Sequence, residues 1–280
     1  MKTGSRDGVI LVTVMWTVAL LALLAIAASL TFRGFTAVIG VEREQLKAEG
    51  LLAAGLEVAG GLLSSAGDTP ILGIESNVVL ASGSVRLRLD DEGGRIDIAR
   101  APVELLAALF RAAGAANPDA IAKEVIDWRR EGALTTKNTR NSGDTSAGGA
   151  FSDVYQLANL PDMRLEWVAA IAPLATVFGN SKINPLTAPP EVIGALPGVT
   201  PDRLAAFLDA RRANPTDATR STALLGNAQQ FLAVKPAQAV SVTLAARLAD
   251  GYGANAAAVI ACLKGDPQPY RVLAWKPSTP

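Results

Sequence analysis

Four acidic side chains lie close together around a Gly-Gly pair and are the best candidates in this sequence for binding a ligand. Asp90, Asp91 and Glu92 are consecutive, and Asp97 follows a few positions later. Carboxylate oxygens are the ligands that hard cations such as calcium prefer. The spacing is not that of a twelve-residue EF-hand loop. The sequence therefore predicts a solvated turn here, with a calcium site as the alternative.

The residue types that the chain lacks limit other chemistry. Its 280 residues include no histidine and one cysteine, and its 26 basic side chains equal its 26 acidic ones. Without histidine there is no Ser-His or Cys-His nucleophile pair and no histidine metal ligand. No P-loop and no G-x-S-x-G motif is present. We therefore expect a protein that is not an enzyme and requires no cofactor, and the alternative is a hydrolase that uses acids such as Asp97.

The cysteine, Cys262, lies in the apolar run AAAVIACLK. It has no partner for an internal disulfide, and a thiol in such a run is typical of a structural position rather than a reactive one. The sequence predicts a buried structural thiol.

A long apolar segment begins after a short charged leader. No side chain from Val9 to Phe32 is charged, and about 24 residues at 1.5 Å each are enough for a helix to cross a hydrocarbon core of about 30 Å. The segment is too long for the apolar part of a signal peptide. Lys2 and Arg6 would stay cytoplasmic by the positive-inside rule. Gly8 is a candidate cleavage site that would leave Val9 as the new terminus, and an uncleaved anchor is the alternative.

The helical pattern continues past this segment. Apolar side chains recur at helical spacing at Ala48, Leu52, Leu56, Ala59 and Leu63, so one helix is predicted over 9–66, ended by the turn at 67–70. Glycines within it cost up to about 1 kcal/mol each relative to alanine. They indicate bends or close helix packing, and they are Gly34, Gly40, Gly50, Gly55, Gly60 and Gly61.

Two stretches predict strands. Apolar residues alternate with small or polar ones over 77–100, which predicts two or three antiparallel strands, and the same pattern returns over 237–280. We expect these stretches to form the first and second parts of one sheet. With the long helix packed on it, the predicted fold class is α+β.

The region between them, 101–236, is predicted to be helical and contains a duplicated unit. GRIDIARAPVELLAALFRAAGAANPDAIAKEVIDWRR, 94–130, can be laid over SKINPLTAPPEVIGALPGVTPDRLAAFLDARR, 181–212. Each copy gives Ile, then Asp or Asn, Ala-Pro, a helix, Pro-Asp, a second helix and Arg-Arg, which predicts two helical hairpins. The arginine pairs at 129–130 and 211–212 are predicted to be solvated helix ends.

Such hairpins also occur in proteins that bind DNA phosphates, so a DNA-uptake protein is an alternative. The turn of the second copy places Asp202 beside Arg203, and Arg211 and Arg212 lie a full helix away. This arrangement favours a structural or protein-binding hairpin, and no nucleic acid is expected as a partner.

Together these features resemble the GspK family of type II secretion minor pseudopilins. The resemblance rests on the leader ending at Gly8, on the order of the elements, and on RIDIARAPVELLAAL, VIDWRR, YQLANLPDM and KINPLTAPPEVIGALPGV, and it covers nearly the whole chain. It implies a pilin-like fold with a large all-α, SAM-like insertion of helical hairpins. Most pilins have glutamate as the fifth mature residue, which GspK members lack, and this chain has Thr13 there.

The resemblance implies a minor pseudopilin at the tip of the pseudopilus, which initiates or caps assembly and supports protein export across the outer membrane. It further implies cleavage after Gly8 by the prepilin peptidase and methylation of the Val9 amine. The chain would be a single-pass protein of the inner membrane with its main domain in the periplasm. Its partners would be GspI-like and GspJ-like minor pseudopilins and other pseudopilus subunits. A plain membrane-anchored domain is the remaining alternative.

Members of the family often have an acidic run after Asp-Trp. This chain has Arg129, Arg130 and Glu131 at that place, so the resemblance assigns no calcium ligands there.

Overall fold

The computed structural model describes residues 6–67, 71, 73–139, 151–215, 217–262 and 267–278, and the side chains at 6–11, 28–41 and 133–139 lie outside that description. Its longest element is α1, Arg6–Ala66, a helix of 61 residues. The helix ends where the sequence predicts. Gly67 follows in the left-handed conformation, with φ 58°, which is a common helix terminator because glycine has no Cβ to clash.

The described residues form seven strands, which are β1 Ile74–Leu80, β2 Gly83–Asp91, β3 Ile96–Asp97, β4 Ala175–Thr176, β5 Ala239–Leu248, β6 Gly253–Ala261 and β7 Arg271–Ser278. Five of them make an antiparallel sheet in the order β1-β2-β5-β6-β7. β2 and β5 are far apart in sequence and adjacent in space, with Asp91 opposite Val240. The region between them is therefore an insertion at one end of the sheet.

The third strand predicted within 77–100 does not belong to this sheet. The chain leaves the sheet at Asp91 through a 3-10 turn, Glu92–Gly94, and β3 pairs in parallel with β4. The first part of the sheet thus spans β1 and β2, and it begins at Ile74 rather than at residue 77.

α1 packs on one face of the sheet because both surfaces are apolar there. The shared core includes Leu51, Leu52, Val85, Leu87, Val242, Leu244 and Ile260. Two of the glycines mark close packing: a Cβ at Gly55 would lie 2.9 Å from Val85 and Leu244, and one at Gly60 would overlap the ring of Tyr270. A Cβ at Gly50 or Gly61 would have no heavy atom within 4 Å.

The described residues of the insertion, 92–238, form a helical body. Its helices are α2 Val103–Ala112, α3 Pro118–Thr139, α4 Leu165–Ile171, α5 Pro190–Gly194, α6 Pro201–Ala213 and α7 Ala218–Ala223. It has a core of its own, in which Phe110 and Phe207 are fully buried. The two predicted hairpins are present as α2 with α3 and α5 with α6, and the α+β fold class is confirmed.

The prediction that both arginine pairs are solvated helix ends is wrong for the first arginine of each pair. Arg129 and Arg211 are about half buried, and each donates to two backbone carbonyls just before its own hairpin. The acceptors are Ile98 and Ala101 for Arg129, at 2.6 and 2.7 Å, and Pro185 and Ala188 for Arg211, at 2.9 and 2.6 Å. These acceptors are equivalent positions of the duplicated unit, so each arginine ties the second helix of its hairpin to the segment just before the first helix.

The second arginine of each pair is exposed, but only Arg212 is at a helix end as predicted, because α3 continues from Arg130 to Thr139. Arg130 pairs with Asp127 at 3.2 Å, and Arg212 pairs with Asp209 at 2.9 Å. Both acids lie three residues before their arginine, so the duplication extends to these surface ion pairs.

Candidate assembly site

The amino-terminal part of α1 exposes apolar side chains along its whole described length. Every described side chain from 12 to 27 is exposed. The bulky ones include Met15 at 68%, Trp16 at 74% and Leu21 at 66% of their possible exposure. Soluble monomers seldom expose an apolar surface of this extent, and such surfaces mark contacts with lipid or protein. This segment is therefore the first candidate assembly surface.

Among the described residues, no helix of the structure has the length and apolar character needed to cross a membrane. The predicted span, Val9 to Phe32, includes positions 9–11 and 28–32, whose side chains lie outside the described residues. The span stays a prediction.

The predicted processing residues lie at the start of α1. The backbone of Gly8 and Val9 is in its first turns, and their side chains lie outside the described residues. Thr13 lies on the exposed segment. Cleavage after Gly8, methylation of Val9 and a role for Thr13 stay predictions.

The four acidic candidates for a cation site each have a protein partner of their own. Asp90 accepts from Arg88 at 2.9 Å, and Glu92 accepts from Arg95 at 3.0 Å. Asp91, Glu92 and Asp97 are buried, so the prediction of a solvated turn is wrong for these three acids. Asp91 and Asp97 each accept several hydrogen bonds. Within the part of the chain that the structure describes, no three acidic or thiol side chains lie close enough together to hold a metal ion.

Asp91 joins the two chain segments that connect the sheet to the helical body. It is 6% exposed. Its Oδ1 accepts from the backbone N–H of Gly93, where the chain enters the body, and of Ala237, where it returns, both at 2.9 Å. Its Oδ2 accepts from the side chains of Asn184 at 3.1 Å and Thr187 at 3.2 Å. We call these five residues the Asp91 junction.

A second, ionic contact joins the helical body to the sheet. Lys276 of β7 forms an ion pair with Asp153 and lies over the ring of Tyr155, 5.4 Å from its centroid. Burial alone would raise the pKa of Asp153, but the bonds from Lys276 and from the Tyr155 backbone outweigh it and lower that pKa. Beside this contact lies a cleft of about 460 Å³, lined by Asp153, Tyr155 and Lys276 and by small sheet residues such as Ala257.

Asp97 and Asn184 occupy the same position in the two copies of the repeat. Asp97 is 1% exposed, and its Oδ1 accepts from the Ala99 N–H at 2.7 Å. Asn184, at 0% exposure, accepts the equivalent backbone bond at 3.2 Å. Burial raises the pKa of Asp97, although the bonds from Ala99 and Arg100 act in the opposite direction.

Asp97→Asn is expected to leave the chain at least as stable as the wild type at pH 7. The amide keeps an acceptor for Ala99 and has no charge to desolvate, as at Asn184. The pKa of Asp97 in the folded chain lies above its unfolded value of about 3.9. The wild type therefore gains stability relative to the variant as the pH falls from the folded pKa to the unfolded pKa. Thermal unfolding from pH 7 to pH 4 measures this. A wild type that loses stability relative to the variant on acidification would contradict the prediction.

Cys262 is partly buried, where the sequence predicts a buried thiol. Its Sγ donates to the carbonyl of Pro269 at 3.0 Å and lies 3.6 Å from the Ser64 hydroxyl. The thiol thus lies where the end of α1 meets the turn before β7.

No family model and no curated protein sequence matches the chain. One chain in the crystal structure of the GspK-GspI-GspJ complex from the enterotoxigenic Escherichia coli type 2 secretion system does match in structure. The TM-score is 0.61 at 14% sequence identity, over 85% of this chain and 98% of that one. The protein has a pseudopilin-like fold.

Within this pseudopilin-like fold, sequence reasoning missed the Asp91 junction and the two arginine ties. Asp91 stood in an acidic cluster, which is typical of a solvated turn. The sequence did indicate a role for the arginines, because each copy of the repeat ends in Asp, one further residue and Arg-Arg. A pair that recurs in the same place of a duplicated unit points to a role within that unit.

Proposed function

We propose that the protein is a minor pseudopilin of a type II secretion system, placed at the tip of the pseudopilus. The observation that supports this best is the combination of a long exposed apolar helix with a domain whose fold matches a chain of the GspK-GspI-GspJ complex. In this proposal the protein initiates or caps pseudopilus assembly and so supports export across the outer membrane. No enzymatic activity and no cofactor are needed.

The direction of α1 along the sheet gives the proposal a physical basis. Gly55 lies over Leu244, and Ser64, further along the helix, donates to Pro269 just before β7. α1 therefore runs along the sheet toward the end at which Asp91 lies. The helical body leaves the sheet at that end, which is remote from the apolar segment. If the apolar helices of neighbouring subunits pack side by side, this body lies above the sheet and obstructs a further subunit. Thr13, in place of a glutamate, cannot make a charged pair with a neighbour's terminal amine, which fits a subunit at the end of the stack.

Membrane anchoring follows from the same helix. Exposed apolar side chains from Val12 to Ile26 gain about 25 cal/mol for each Å² removed from water. The proposal therefore places the segment in the inner membrane before assembly and among other pseudopilin helices afterwards, with the sheet and helical body in the periplasm. Processing after Gly8 and methylation of Val9 belong to the same proposal.

Co-expression with a prepilin peptidase is expected to shorten the chain by the leader, residues 1–8. The mass of the amino-terminal peptide measures cleavage and methylation together. Gly8→Val should block processing, because the peptidase must recognise the small residue at the cut, while Gly4→Val in the same leader should be cut normally. A Met1 terminus that persists with the peptidase present would overturn the assignment.

The partners of the proposed tip complex are GspI-like and GspJ-like minor pseudopilins. A tagged full-length chain in detergent is expected to copurify with them when the three are expressed together. Failure of the wild type to retain either one would contradict the proposed partnership, whatever the outcome of the cleavage test.

A further inference from the structure

Two exposed arginines lie next to each other on the sheet face opposite α1. Val85 and Leu244 face the helix, so the alternation along each strand directs Arg86 of β2 and Arg247 of β5 to the other face. Arg86 is opposite Ala245, and Arg247 is opposite Ser84. The two arginines are therefore diagonal neighbours, about 7–8 Å apart.

Arg86 and Arg247 have no acidic partner, in contrast to seven other arginines of the described residues. Those that form ion pairs are Arg88, Arg95, Arg100, Arg111, Arg130, Arg164 and Arg212. No described residue forms an ion pair or a hydrogen bond with the side chain of Arg86 or Arg247. The nearest acid along the chain, Asp250, accepts from the backbone of Tyr252. Two positive side chains this close repel each other, and no ion pair within the described residues offsets that repulsion.

Next to the pair, β1 exposes Val79 at 74%. It lies opposite Ser84 and on the same face as the arginines. Arginine is enriched at protein interfaces, and Val79 adds exposed apolar surface directly beside the pair. We define Val79, Arg86 and Arg247 as the basic face.

We infer that the basic face binds an acidic segment of a neighbouring subunit, one that presents two carboxylates about 7 Å apart. Acids two apart on a strand have that spacing, because a strand rises about 3.3 Å per residue. Each guanidinium would then donate two parallel hydrogen bonds to one carboxylate, a geometry that lysine cannot provide. This inference rests on the proposed function for the existence of a neighbour, and it adds the chemistry by which that neighbour is recognised.

A protein surface fits this position better than lipid headgroups. The basic face lies at the end of the sheet nearest the apolar part of α1, yet Ala48, the first buried residue described on that helix, is 16 positions beyond Phe32. At 1.5 Å per residue this is about 24 Å of helix. Charges are screened over about 10 Å at 0.1 M salt, so a bilayer holding Phe32 would exert little attraction on the arginines.

A fluorescent octaglutamate peptide added to the full-length chain in detergent tests the inference by anisotropy. The wild type is expected to bind it saturably and less tightly as salt is raised. Arg86→Gln combined with Arg247→Gln should weaken binding about tenfold, since two exposed charge contacts are lost. The matched control, Arg130→Gln combined with Arg212→Gln, removes the same charge elsewhere and should bind as the wild type does.

Equal binding by the Arg86/Arg247 variant and the wild type would overturn the inference. Displacement of the peptide by inorganic phosphate, added at the same concentration as the glutamate side chains, would also overturn the inference. That result would indicate a general phosphate or headgroup site. Copurification with the GspI-like and GspJ-like subunits is recorded on the same preparations. Loss of copurification by the wild type would count against the proposed function alone, and the peptide result would still decide the inference.

Discussion

Gly60→Ala is expected to destabilise the fold by about 1–3 kcal/mol. Its Cβ would overlap the ring of Tyr270, whose hydroxyl donates to Glu57 at 3.0 Å. The ring would have to rotate away and give up that bond. Gly61→Ala, one residue further on, is expected to stabilise the fold by up to about 1 kcal/mol, because its Cβ meets no heavy atom within 4 Å. Thermal unfolding followed by tryptophan fluorescence measures both variants in the full-length chain.

A Tyr270→Ala background makes this prediction specific. With the ring removed, Gly60→Ala should change sign and stabilise the chain by up to about 1 kcal/mol, as Gly61→Ala does in either background. The double-mutant cycle separates the clash from helix propensity. If the sign at Gly60 is the same with and without the tyrosine, the close approach of α1 to Tyr270 is not what requires glycine there.

The glycines of α1 also show where sequence reasoning stops. Their cost in a helix is visible in the sequence, and it indicates bends or close contacts. The sequence does not distinguish Gly60 from Gly61, because the residue that lies against Gly60 in space is distant from it in the chain. Tyr270 is 210 residues away in sequence from Gly60. Local periodicity predicted the long helix, the hairpins and the α+β class, whose signals lie within a few turns.

The roles of the acids near residue 90 also depend on residues that are distant in the chain. Asp90 and Asp91 are adjacent and chemically identical, and strand alternation places them on opposite faces of β2. Asp90 then meets Arg88 at the surface, while Asp91 meets Gly93, Ala237 and the second repeat. The partner of Asp91 is a chain segment that returns 146 residues later.

Asp91→Ala is expected to cost about 3–5 kcal/mol of folding free energy. It would leave four donors, two on the backbone and two on side chains, without their buried acceptor. Asp90→Ala provides the matched control, since its pair with Arg88 is at the surface and such pairs contribute less than about 1 kcal/mol. The loss of folding free energy in Asp91→Asn should lie between those of the two alanine variants. The amide oxygen still accepts from Gly93 and Ala237, but the amide NH₂ is a donor placed against the donor of Asn184.

The junction also gives Asp91→Ala a readout that general destabilisation would not produce. The sheet with α1 and the helical body have separate cores, and the Asp91 junction binds both connecting segments at once. Its loss should therefore separate their unfolding, so that calorimetry shows two transitions in Asp91→Ala where the wild type and Asp90→Ala show one.

The Lys276–Asp153 ion pair would remain as a contact across the cleft, and it is exposed enough for salt to weaken it. Raising salt should then widen the gap between the two transitions in Asp91→Ala and leave Asp90→Ala unchanged. A single transition for Asp91→Ala, at a cost no greater than that of Asp90→Ala, would mean that the helical body is held to the sheet by other contacts.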